Sequence, residues 1–457
     1  MSHPFKFLSN EQVIIDDTST VEHYSKDWTK QFPIKSSGVL FPKTTDEVSL
    51  IIKACNQNDL KLVPSGGRTG LSGGAVASNG EWILSLDKMN KIIEVSPTDS
   101  SITAEAGVIT KALQEEALKN DLYFPVEFAA TGSSQLGGNV ATNAGGVHVV
   151  RYGNTREWIK GLTVVTGTGE VLKLNQGLIK NNAGYDLRHL FIGSEGTLGV
   201  ITEVEVGLCS KPSQKQVILL GVESLEKILD CFLYSKKHLP LMAFEMFTSL
   251  ALEKVLAAHD LPKPLETACP YYLLIEVETS KSFTEDDLTS ALEHYFENEW
   301  AVDGTLSSNS TQYENLWKYR ELISESLAPL TPYKNDVSVK TSKIPQFINA
   351  IYNTVMKEHT DIEVVIFGHI GDGNLHVNAL KPDTLSMDEF VSKCEAANKT
   401  LFSEIQKIGG SISAEHGVGL LKKPYLEFSR SKEEISIMKE IKKAFDPKNT
   451  LNPGKIF

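Results

Sequence analysis

Residues 364–380 predict a β-hairpin, and this segment constrains the fold of the chain more than any other. An apolar run at 364–367 precedes Asp372-Gly373, and an alternating run follows at 375–380. Asp-Gly between two such runs favours a two-residue type I′ turn. With that turn His369 lies directly opposite His376, at a Cβ separation of roughly 4.5–5.5 Å. Phe367 and Asn378 form the next pair on the same face.

The facing histidines leave two interpretations open. Two imidazoles at this separation can share one cation, with the Asn378 amide aimed at the same place. A hairpin that merely carries two surface histidines fits the pairing equally well. A third ligand would decide between them, and Glu415-His416 supplies a carboxylate. Two histidines and one carboxylate suit zinc or another divalent first-row metal. The alternative is that Glu415 forms a surface ion pair and His416 packs in the core.

Length and charge limit the class of protein. A chain of 457 residues with 41% hydrophobic and 23% charged residues predicts two or three globular domains. The net charge of -13 argues against nucleic acid as a partner and requires local cations for any anionic substrate. No apolar run reaches the ~20 residues of a transmembrane segment. The first residues lack the pattern of a signal peptide, and five scattered cysteines fit a reducing cytoplasm without a four-cysteine iron–sulfur site.

The element pattern predicts an α+β protein. Short β-rich runs separated by glycine turns fill residues 36–211, with helices at 45–57 and 109–119. From about 214 to 420, amphipathic helices alternate with apolar strands. We therefore expect one domain over 1–211, a second over 212–420, and a basic helical segment over 421–457.

Three glycine-rich segments lie in the first half, at 64–74, 131–146 and 191–202. Glycine lets backbone N–H groups approach an anion without obstruction by Cβ. None of the segments is a GxxxxGK[ST] loop or a GxGxxG motif that opens a helix. The first segment alone could be a flexible surface loop, but three together indicate one long ligand threaded between backbone walls. By contrast, Gly167-Thr168-Gly169 predicts a plain hairpin turn.

Together with Gly-His-Ile-Gly-Asp-Gly-Asn-Leu-His at 368–376 and Ala-Glu-His-Gly at 414–417, these segments resemble the vanillyl-alcohol-oxidase type of FAD-binding fold over nearly the whole chain. The closest resemblance is to the FAD-linked D-2-hydroxyacid dehydrogenases, among them the D-2-hydroxyglutarate dehydrogenases. It implies a PCMH-type FAD-binding domain of two α+β subdomains. It also implies an α+β cap domain with an antiparallel sheet, and a helical C-terminal segment that returns to the FAD domain.

The same resemblance implies that the glycine segments bind FAD. The first holds the pyrophosphate, the second lies against pyrophosphate and flavin, and the backbone after Gly199 lies near the adenine. Because the first segment contains no histidine, we expect the FAD to be non-covalent. The implied FAD-binding residues are Pro64, Gly66, Gly67, Arg68, Thr69, Gly70, Leu71, Ser72, Gly132, Ser133, Gly137, Gly138, Thr142, Asn143, Gly199, Val200, Ile201 and Asn452.

Catalytic roles also follow from the resemblance. It implies His369, His376 and Glu415 as metal ligands, and His416 as a general base that contacts the substrate. Arg320 and Ser324, four apart and so on one helix face, match residues that grip the distal carboxylate of D-2-hydroxyglutarate together with Lys334. Asn378 matches the residue that holds the carboxylate beside the reacting carbon.

Two departures from the family pattern bear on the substrate. Ser324 stands where we expect threonine, and Asn335 follows Lys334 where we expect tyrosine. The alternative for Arg320 and Lys334 is that both are solvated surface cations.

The sequence therefore predicts FAD- and metal-dependent oxidation of D-2-hydroxyglutarate to 2-oxoglutarate. Electrons would leave to an external acceptor, such as an electron-transfer flavoprotein or a quinone. A D-lactate or broad-specificity D-2-hydroxyacid dehydrogenase is the first alternative. A non-catalytic flavoprotein subunit and a redox-neutral lyase or synthase are alternatives of other classes. A homodimer is left open.

Overall fold

The computed structural model describes residues 3–29, 31–355, 357 and 359–457, which form two compact units. The first unit contains the chain up to Gly146, Tyr152–Lys211 and Glu415–Phe457. The second contains Val147–Arg151 and Pro212–Ala414. The predicted segments were 1–211, 212–420 and 421–457, so the structure adds a five-residue excursion to the second unit and returns the chain to the first at Glu415.

The first unit holds a four-stranded sheet and a five-stranded sheet. The four-stranded sheet has the order β1-β2-β4-β3, in which β2, β4 and β3 run parallel. The five-stranded sheet has the order β5-β6-β10-β8-β9 and is antiparallel throughout. A short pair, β7 with β11, completes the unit. The strands are β1 Val13–Ile14, β2 Ser36–Leu40, β3 Leu62–Ser65, β4 Glu81–Ser85, β5 Ile92–Ser96, β6 Ser101–Glu105, β7 Leu122–Tyr123, β8 Ile159–Thr166, β9 Val171–Leu174, β10 Gly199–Gly207 and β11 Cys209–Ser210.

Helices pack on these sheets around one large apolar core. Thr44 begins the helix Thr45–Gln57 by accepting the N–H of Glu47 on its hydroxyl at 3.1 Å, which is an ordinary N-cap. That helix buries Val48, Ile51 and Ile52. The other α-helices that lie wholly in this unit are Thr18–Tyr24, Thr110–Lys119, Leu136–Thr142, Thr155–Trp158, Arg188–Phe191 and Lys432–Phe445.

The second unit is built on one seven-stranded antiparallel sheet of order β15-β12-β14-β13-β17-β18-β16. Its strands are β12 Gln214–Val222, β13 Leu241–Thr248, β14 Tyr271–Thr279, β15 Asp303–Leu306, β16 Tyr333–Ser338, β17 Glu363–Gly368 and β18 Asn374–Leu380. Its α-helices are Leu225–His238, Ser249–Ala258, Glu285–Glu297, Ser310–Glu321, Ile323–Leu327, Ile344–Ala350 and Met387–Lys407, and a π-helical turn follows at Ile351–Val355. Val149–Tyr152 forms a short helix where the excursion ends.

The predicted hairpin exists, but its predicted register is wrong. Phe367 lies opposite His376 and Val365 opposite Asn378, so the pairing is shifted by two residues. The turn is longer than the Asp-Gly pair because the amide of Asn374 donates to the carbonyl of His369 at 3.1 Å. A type I′ turn needs positive φ at both central residues, and of the pair Asp372-Gly373 only Gly373 has it, at 91°.

A shift of two residues leaves every side chain on its predicted face, because the side-chain period of a strand is two. His369 and His376 are therefore diagonal neighbours on one face, with ring centroids 5.4 Å apart. The prediction that the two imidazoles lie together is confirmed, although they are not a directly opposed pair.

Other expectations agree with the described residues. The α+β prediction is confirmed by the helices and sheets above. Gly167-Thr168-Gly169 turns between β8 and β9, as predicted. Within the described ranges, no helix combines the length and apolarity needed to cross a bilayer.

Candidate active site

One face of the second unit's sheet carries a row of polar side chains. Alternate residues of a strand point to the same face, so neighbouring strands bring these groups side by side. Five of the residues come from β13, β18 and β16, and the sixth, His369, directly follows β17. They are Glu245, His369, His376, Asn378, Asp336 and Lys334.

Glu245 is the buried centre of this row, with no solvent exposure. Its carboxylate accepts hydrogen bonds from Nε of Arg320 and from Nδ1 of His369, both at 2.8 Å. The carboxylate on Nδ1 selects the tautomer of His369 that leaves its lone pair on Nε2. The guanidinium carbon of Arg320 lies 4.8 Å from the centre of the Phe367 ring. Arg320 is thus a buried, partnered cation, not a solvated surface one.

Asp336 plays a similar part beside His376. The two residues lie opposite each other on β16 and β18, with Asp336 Oδ1 3.6 Å from His376 Nδ1. Asp336 also accepts from the side-chain amide of Asn374 at 2.8 Å and from the backbone N–H of Ala414 at 3.1 Å. Each histidine of the hairpin therefore has a buried carboxylate near Nδ1, an arrangement typical of metal-binding histidines.

The helix Ser310–Glu321 contacts two buried carboxylates with one face. Tyr313 and Trp317 donate to Glu276 at 2.7 and 3.0 Å, and one further turn along Arg320 donates to Glu245. His148, from the excursion, is 2.9 Å from the other oxygen of Glu276. Burial acts to raise the pKa of Glu276, but these hydrogen bonds and nearby Lys215 outweigh it, so the pKa lies below its ordinary value.

The predicted substrate residues are only partly assembled. Lys334 lies opposite Asn378, so the two side chains share a face. Asn378 is buried, and its Nδ2 has no hydrogen-bond partner among the described residues. Lys334 is exposed, yet desolvation by the protein around it lowers its pKa.

Ser324 does not share the environment of Arg320. The helix is interrupted at Leu322, and Ser324 lies exposed on the next helix, Ile323–Leu327, whereas Arg320 is buried. That Arg320 and Ser324 act together on one carboxylate therefore stays a prediction. A periodicity of 3.6 predicts a shared face only while the helix continues.

The glycine segments line one cleft of about 900 Å³ in the first unit. The cleft also includes Ser65, Gln135, Glu195 and His416. The predicted FAD-binding residues that line it are Pro64, Gly66, Gly67, Arg68, Thr69, Gly70, Ser72, Gly137, Gly138, Thr142, Gly199, Val200 and Ile201. The predicted residues that do not line it are Leu71, Gly132, Ser133, Asn143 and Asn452.

Two of these outlying residues have structural roles. Asn143 ends the helix Leu136–Thr142 in a left-handed conformation and accepts the N–H of Arg156 at 2.9 Å. Asn452 donates from Nδ2 to the carbonyls of Gly74 and Glu195 at 2.9 and 2.7 Å. Asn452 therefore joins the first and third glycine segments behind the cleft.

The walls of the cleft suit a ligand held close to the backbone. A Cβ on Gly67 would lie 2.3 Å from the carbonyl oxygen of Ser133, so two segments meet here without room for a side chain. A Cβ on Gly138 would meet no described residue within 4 Å. Ser65 Oγ and Gln135 Oε1 are buried without a hydrogen-bond partner among the described residues. Buried polar atoms of this kind call for a polar ligand, which FAD provides.

Arg68 is fixed at the rim by residues that sequence reasoning missed. Its guanidinium lies 4.3 Å from the centre of the Tyr24 ring and 3.7 Å from Asp87. Asp87 accepts from Tyr24 at 2.5 Å and from Gln135 at 2.7 Å. Burial, followed by the bond to Asp87, raises the pKa of Tyr24 to about 12.

Three further carboxylates, Glu245, Asp336 and Glu195, were also missed. Glu245 offered one signal, because it is the only charge in the apolar run 241–247. A lone charge in a buried strand needs a partner. Neither Asp336 nor Glu195 is a lone charge in an apolar run, so the sequence offered no such signal for them.

Comparisons with known proteins agree with this geometry. Residues 36–175 match the family described as "FAD binding domain", and residues 211–456 match "FAD linked oxidases, C-terminal domain".

Among curated relatives, D-2-hydroxyglutarate dehydrogenase of Stutzerimonas stutzeri (strain A1501) is 48% identical over 99% of this chain and 97% of its own. A putative mitochondrial D-lactate dehydrogenase of Schizosaccharomyces pombe is 38% identical over 96% of this chain and 85% of its own. Among solved structures, 4-ethylphenol oxidase from Gulosibacter chungangensis has a TM-score of 0.76 at 19% identity, covering 99% of this chain and 95% of its own. This last likeness shows the fold alone.

Proposed function

The chain belongs to the family of FAD-linked D-2-hydroxyglutarate dehydrogenases, and we propose that it oxidises D-2-hydroxyglutarate to 2-oxoglutarate with an external electron acceptor. The observation that carries the proposal is the polar row of the second unit. There, Glu245 holds a histidine of the proposed metal site and an arginine of the proposed substrate site through one buried carboxylate. A buried carboxylate is costly unless it is paired and hydrogen-bonded, and both hydrogen-bonding partners of Glu245 belong to the proposed site.

We propose that His369, His376 and Glu415 bind zinc or another divalent first-row metal. The chemistry of the donor set supports this, because two imidazoles and a carboxylate leave coordination positions open for a substrate. Glu415 directly follows Ala414, whose N–H is held by Asp336. A divalent cation in such a site lowers the pKa of a hydroxyl group bound to it.

His416 is the proposed general base. It lines the cleft that we propose for FAD, which would take the hydride from C2 of the substrate when bound. A neutral imidazole, with an unperturbed pKa of ~6.5, can accept the C2 hydroxyl proton at neutral pH.

Positively charged and amide groups would hold the substrate carboxylates. Arg320 uses Nε on Glu245, which leaves its two terminal nitrogens for a carboxylate. The Nδ2 of Asn378, which lacks a partner among the described residues, suits the carboxylate beside C2. Lys334, opposite Asn378, supplies an ammonium for the distal carboxylate. A monocarboxylate such as lactate would not need this extra cation.

The exposure of Ser324 favours a second candidate function. A Ser324 that does not reach the distal carboxylate would leave only Arg320 and Lys334 to bind it, which favours a dehydrogenase of broader D-2-hydroxyacid specificity.

The acceptor and the compartment belong to the same proposal. An electron-transfer flavoprotein or a quinone would take the electrons. The five cysteines are free thiols scattered along the sequence, so no cysteine motif in the chain indicates a second redox centre. Free thiols also support a cytoplasmic location.

Anaerobic flavin reduction tests the proposal. Protein loaded with FAD and zinc is mixed with D- and L-2-hydroxyglutarate, D- and L-lactate and glycolate, and bleaching of the flavin is followed. We expect D-2-hydroxyglutarate to bleach it fastest. Equal rates with D-lactate would support the broader dehydrogenase, and no bleaching with any 2-hydroxyacid would refute both. Stoichiometric reduction of an acceptor dye would exclude lyase or synthase chemistry.

A further inference from the structure

Glu195 faces the turn that follows His416. Its side chain is almost fully buried in the first unit. Oε1 accepts the backbone N–H of Val418 at 2.7 Å, and Oε2 accepts that of Gly419 at 2.8 Å. Both carboxylate oxygens are therefore committed to one short stretch of backbone. No role for this residue followed from the sequence.

The backbone of the third glycine segment aims Glu195 at this turn. Glu195 has a φ of 51°, in the left-handed region, and lies between Gly193 and Gly196, which also have positive φ. Its N–H donates to the carbonyl of Ala141 at 2.8 Å, and its carbonyl accepts from Asn452 at 2.7 Å. A non-glycine residue in this conformation is strained. Such strain persists where the surroundings fix the residue.

The turn itself has little freedom. Gly417 has a φ of 80°, and a Cβ there would lie 2.9 Å from Oε1 of Glu195. On the other side, a Cβ on Gly419 would lie 2.2 Å from the carbonyl oxygen of Ser72, which also accepts the N–H of Leu420 at 2.9 Å. The first and third glycine segments thus hold the turn between them.

Burying a carboxylate is unfavourable, and burial raises the pKa of Glu195 even though the two amide bonds and Lys422 act in the opposite direction. An asparagine or a serine could bind a backbone N–H at this place with less desolvation. A carboxylate offers two acceptors at a fixed separation, and so it holds two successive amides at once. A carboxylate that binds two successive N–H groups fixes this turn, and His416 lies directly before it in the sequence.

We infer that Glu195 is a positioning residue for His416, holding the turn that places this imidazole at the wall of the cleft. The inference rests on the proposed role of His416 as general base. Because Glu195 belongs to a segment that lines the cleft, the same carboxylate links the FAD-binding walls to the base. Glu195 itself takes no proton in the reaction.

A double-mutant cycle tests the inference. Flavin reduction is measured at saturating D-2-hydroxyglutarate and FAD in the wild type, Glu195→Gln, His416→Ala and the double variant. Glutamine keeps the size but has one acceptor, so one amide loses its bond. We expect Glu195→Gln to slow flavin reduction roughly 10- to 100-fold, the usual result when a catalytic side chain is slightly misplaced. In the His416→Ala background it should have almost no further effect, because residues that act together are not additive. Additive effects would overturn the inference.

A second readout does not depend on activity. The ring carbon resonance of His416 is identified as the histidine signal missing from His416→Ala and is compared at one pH in each protein. We expect its chemical shift or line width to change in Glu195→Gln and in Gly417→Ala, whose new Cβ would press on the Glu195 carboxylate from the turn. Glu203→Gln is the matched control, because Glu203, on β10, accepts a hydrogen bond from Thr163 of β8 instead of from the turn. An unchanged resonance in both turn variants would refute the inference.

The two experiments separate the inference from the proposed function. If His416→Ala reduces flavin as fast as the wild type, His416 is not the base and the proposed function fails in that part. The resonance of His416 still reports whether Glu195 fixes the ring. If the rate falls in His416→Ala but not in Glu195→Gln, the proposed function stands and the inference fails.

Discussion

The fully buried carboxylate of Glu245 accepts the Nδ1 proton of His369 at 2.8 Å. Glu245→Gln should therefore weaken metal binding, since a glutamine has one acceptor oxygen for two donors and turns an amide N–H toward one of them. Loss of such a partner typically costs 10- to 100-fold in metal affinity. Zinc affinity is measured by competition with a coloured chelator. The control is Glu363→Gln, an exposed glutamate on β17 paired with Lys254. Equal zinc affinity in Glu245→Gln and wild type would contradict the proposed metal site.

Lys334→Ala should lower kcat/KM for D-2-hydroxyglutarate by roughly 10- to 100-fold, the worth of one hydrogen bond to a charged group. D-Lactate, which has no second carboxylate, should lose little. Lys340→Ala, which removes an exposed lysine just beyond the same strand, should leave both substrates unaffected. Steady-state kinetics with an acceptor dye give kcat/KM for each substrate, and the ratio of the two values is compared between the variants. An equal loss for both would remove Lys334 from the distal carboxylate site.

Gly138→Leu should give a folded protein without flavin, because the new side chain extends into the open cleft. In Gly132→Leu the Cβ also meets none of the residues that the structure describes within 4 Å, but Gly132 does not line the cleft. We expect this second variant to keep its flavin, contrary to the role that the family resemblance implies for Gly132. Flavin absorbance per mole of protein measures the bound flavin, and circular dichroism shows whether each variant is folded. Retention of flavin by both variants would argue against the cleft as the FAD site.

Glu276 should make the protein sensitive to acid. Its pKa in the folded protein lies below the ordinary value of 4.5, so the unfolded chain takes up the proton first. The stability that this group contributes is present above pH 4.5 and is lost as the pH falls from 4.5 through the folded value. Urea unfolding midpoints across this range should fall less steeply in Glu276→Gln, which is also less stable at neutral pH. The exposed Glu297→Gln should follow the wild type. If the urea midpoint falls equally with pH in the wild type and Glu276→Gln, Glu276 is not a source of acid sensitivity.

Local chemistry made some elements predictable. The helix Thr45–Gln57 has the predicted bounds, and Thr44, which caps its first turn, gives the local signal for its start. The glycine segments likewise identified most of the cleft, since close backbone approach requires glycine whatever the rest of the fold.

Non-local contacts account for what the sequence did not reveal. The turn of the hairpin is set by Val339, whose N–H donates to the carbonyl of Gly373 at 3.0 Å. Val339 lies far enough along the chain that no local pattern includes it. The role of Glu245 was also hidden from local patterns, because its hydrogen-bonding partners Arg320 and His369 come from two other parts of the chain.

The bond from Asn452 to the carbonyl of Gly74 joins residues 378 positions apart. During synthesis, the first glycine segment leaves the ribosome long before its partner near residue 450 is made. The segment must wait, without its final support, while the whole second unit is translated and begins to fold. Binding of FAD should therefore come only after nearly the whole chain has been synthesised. A chain truncated after residue 445 should be purified without FAD.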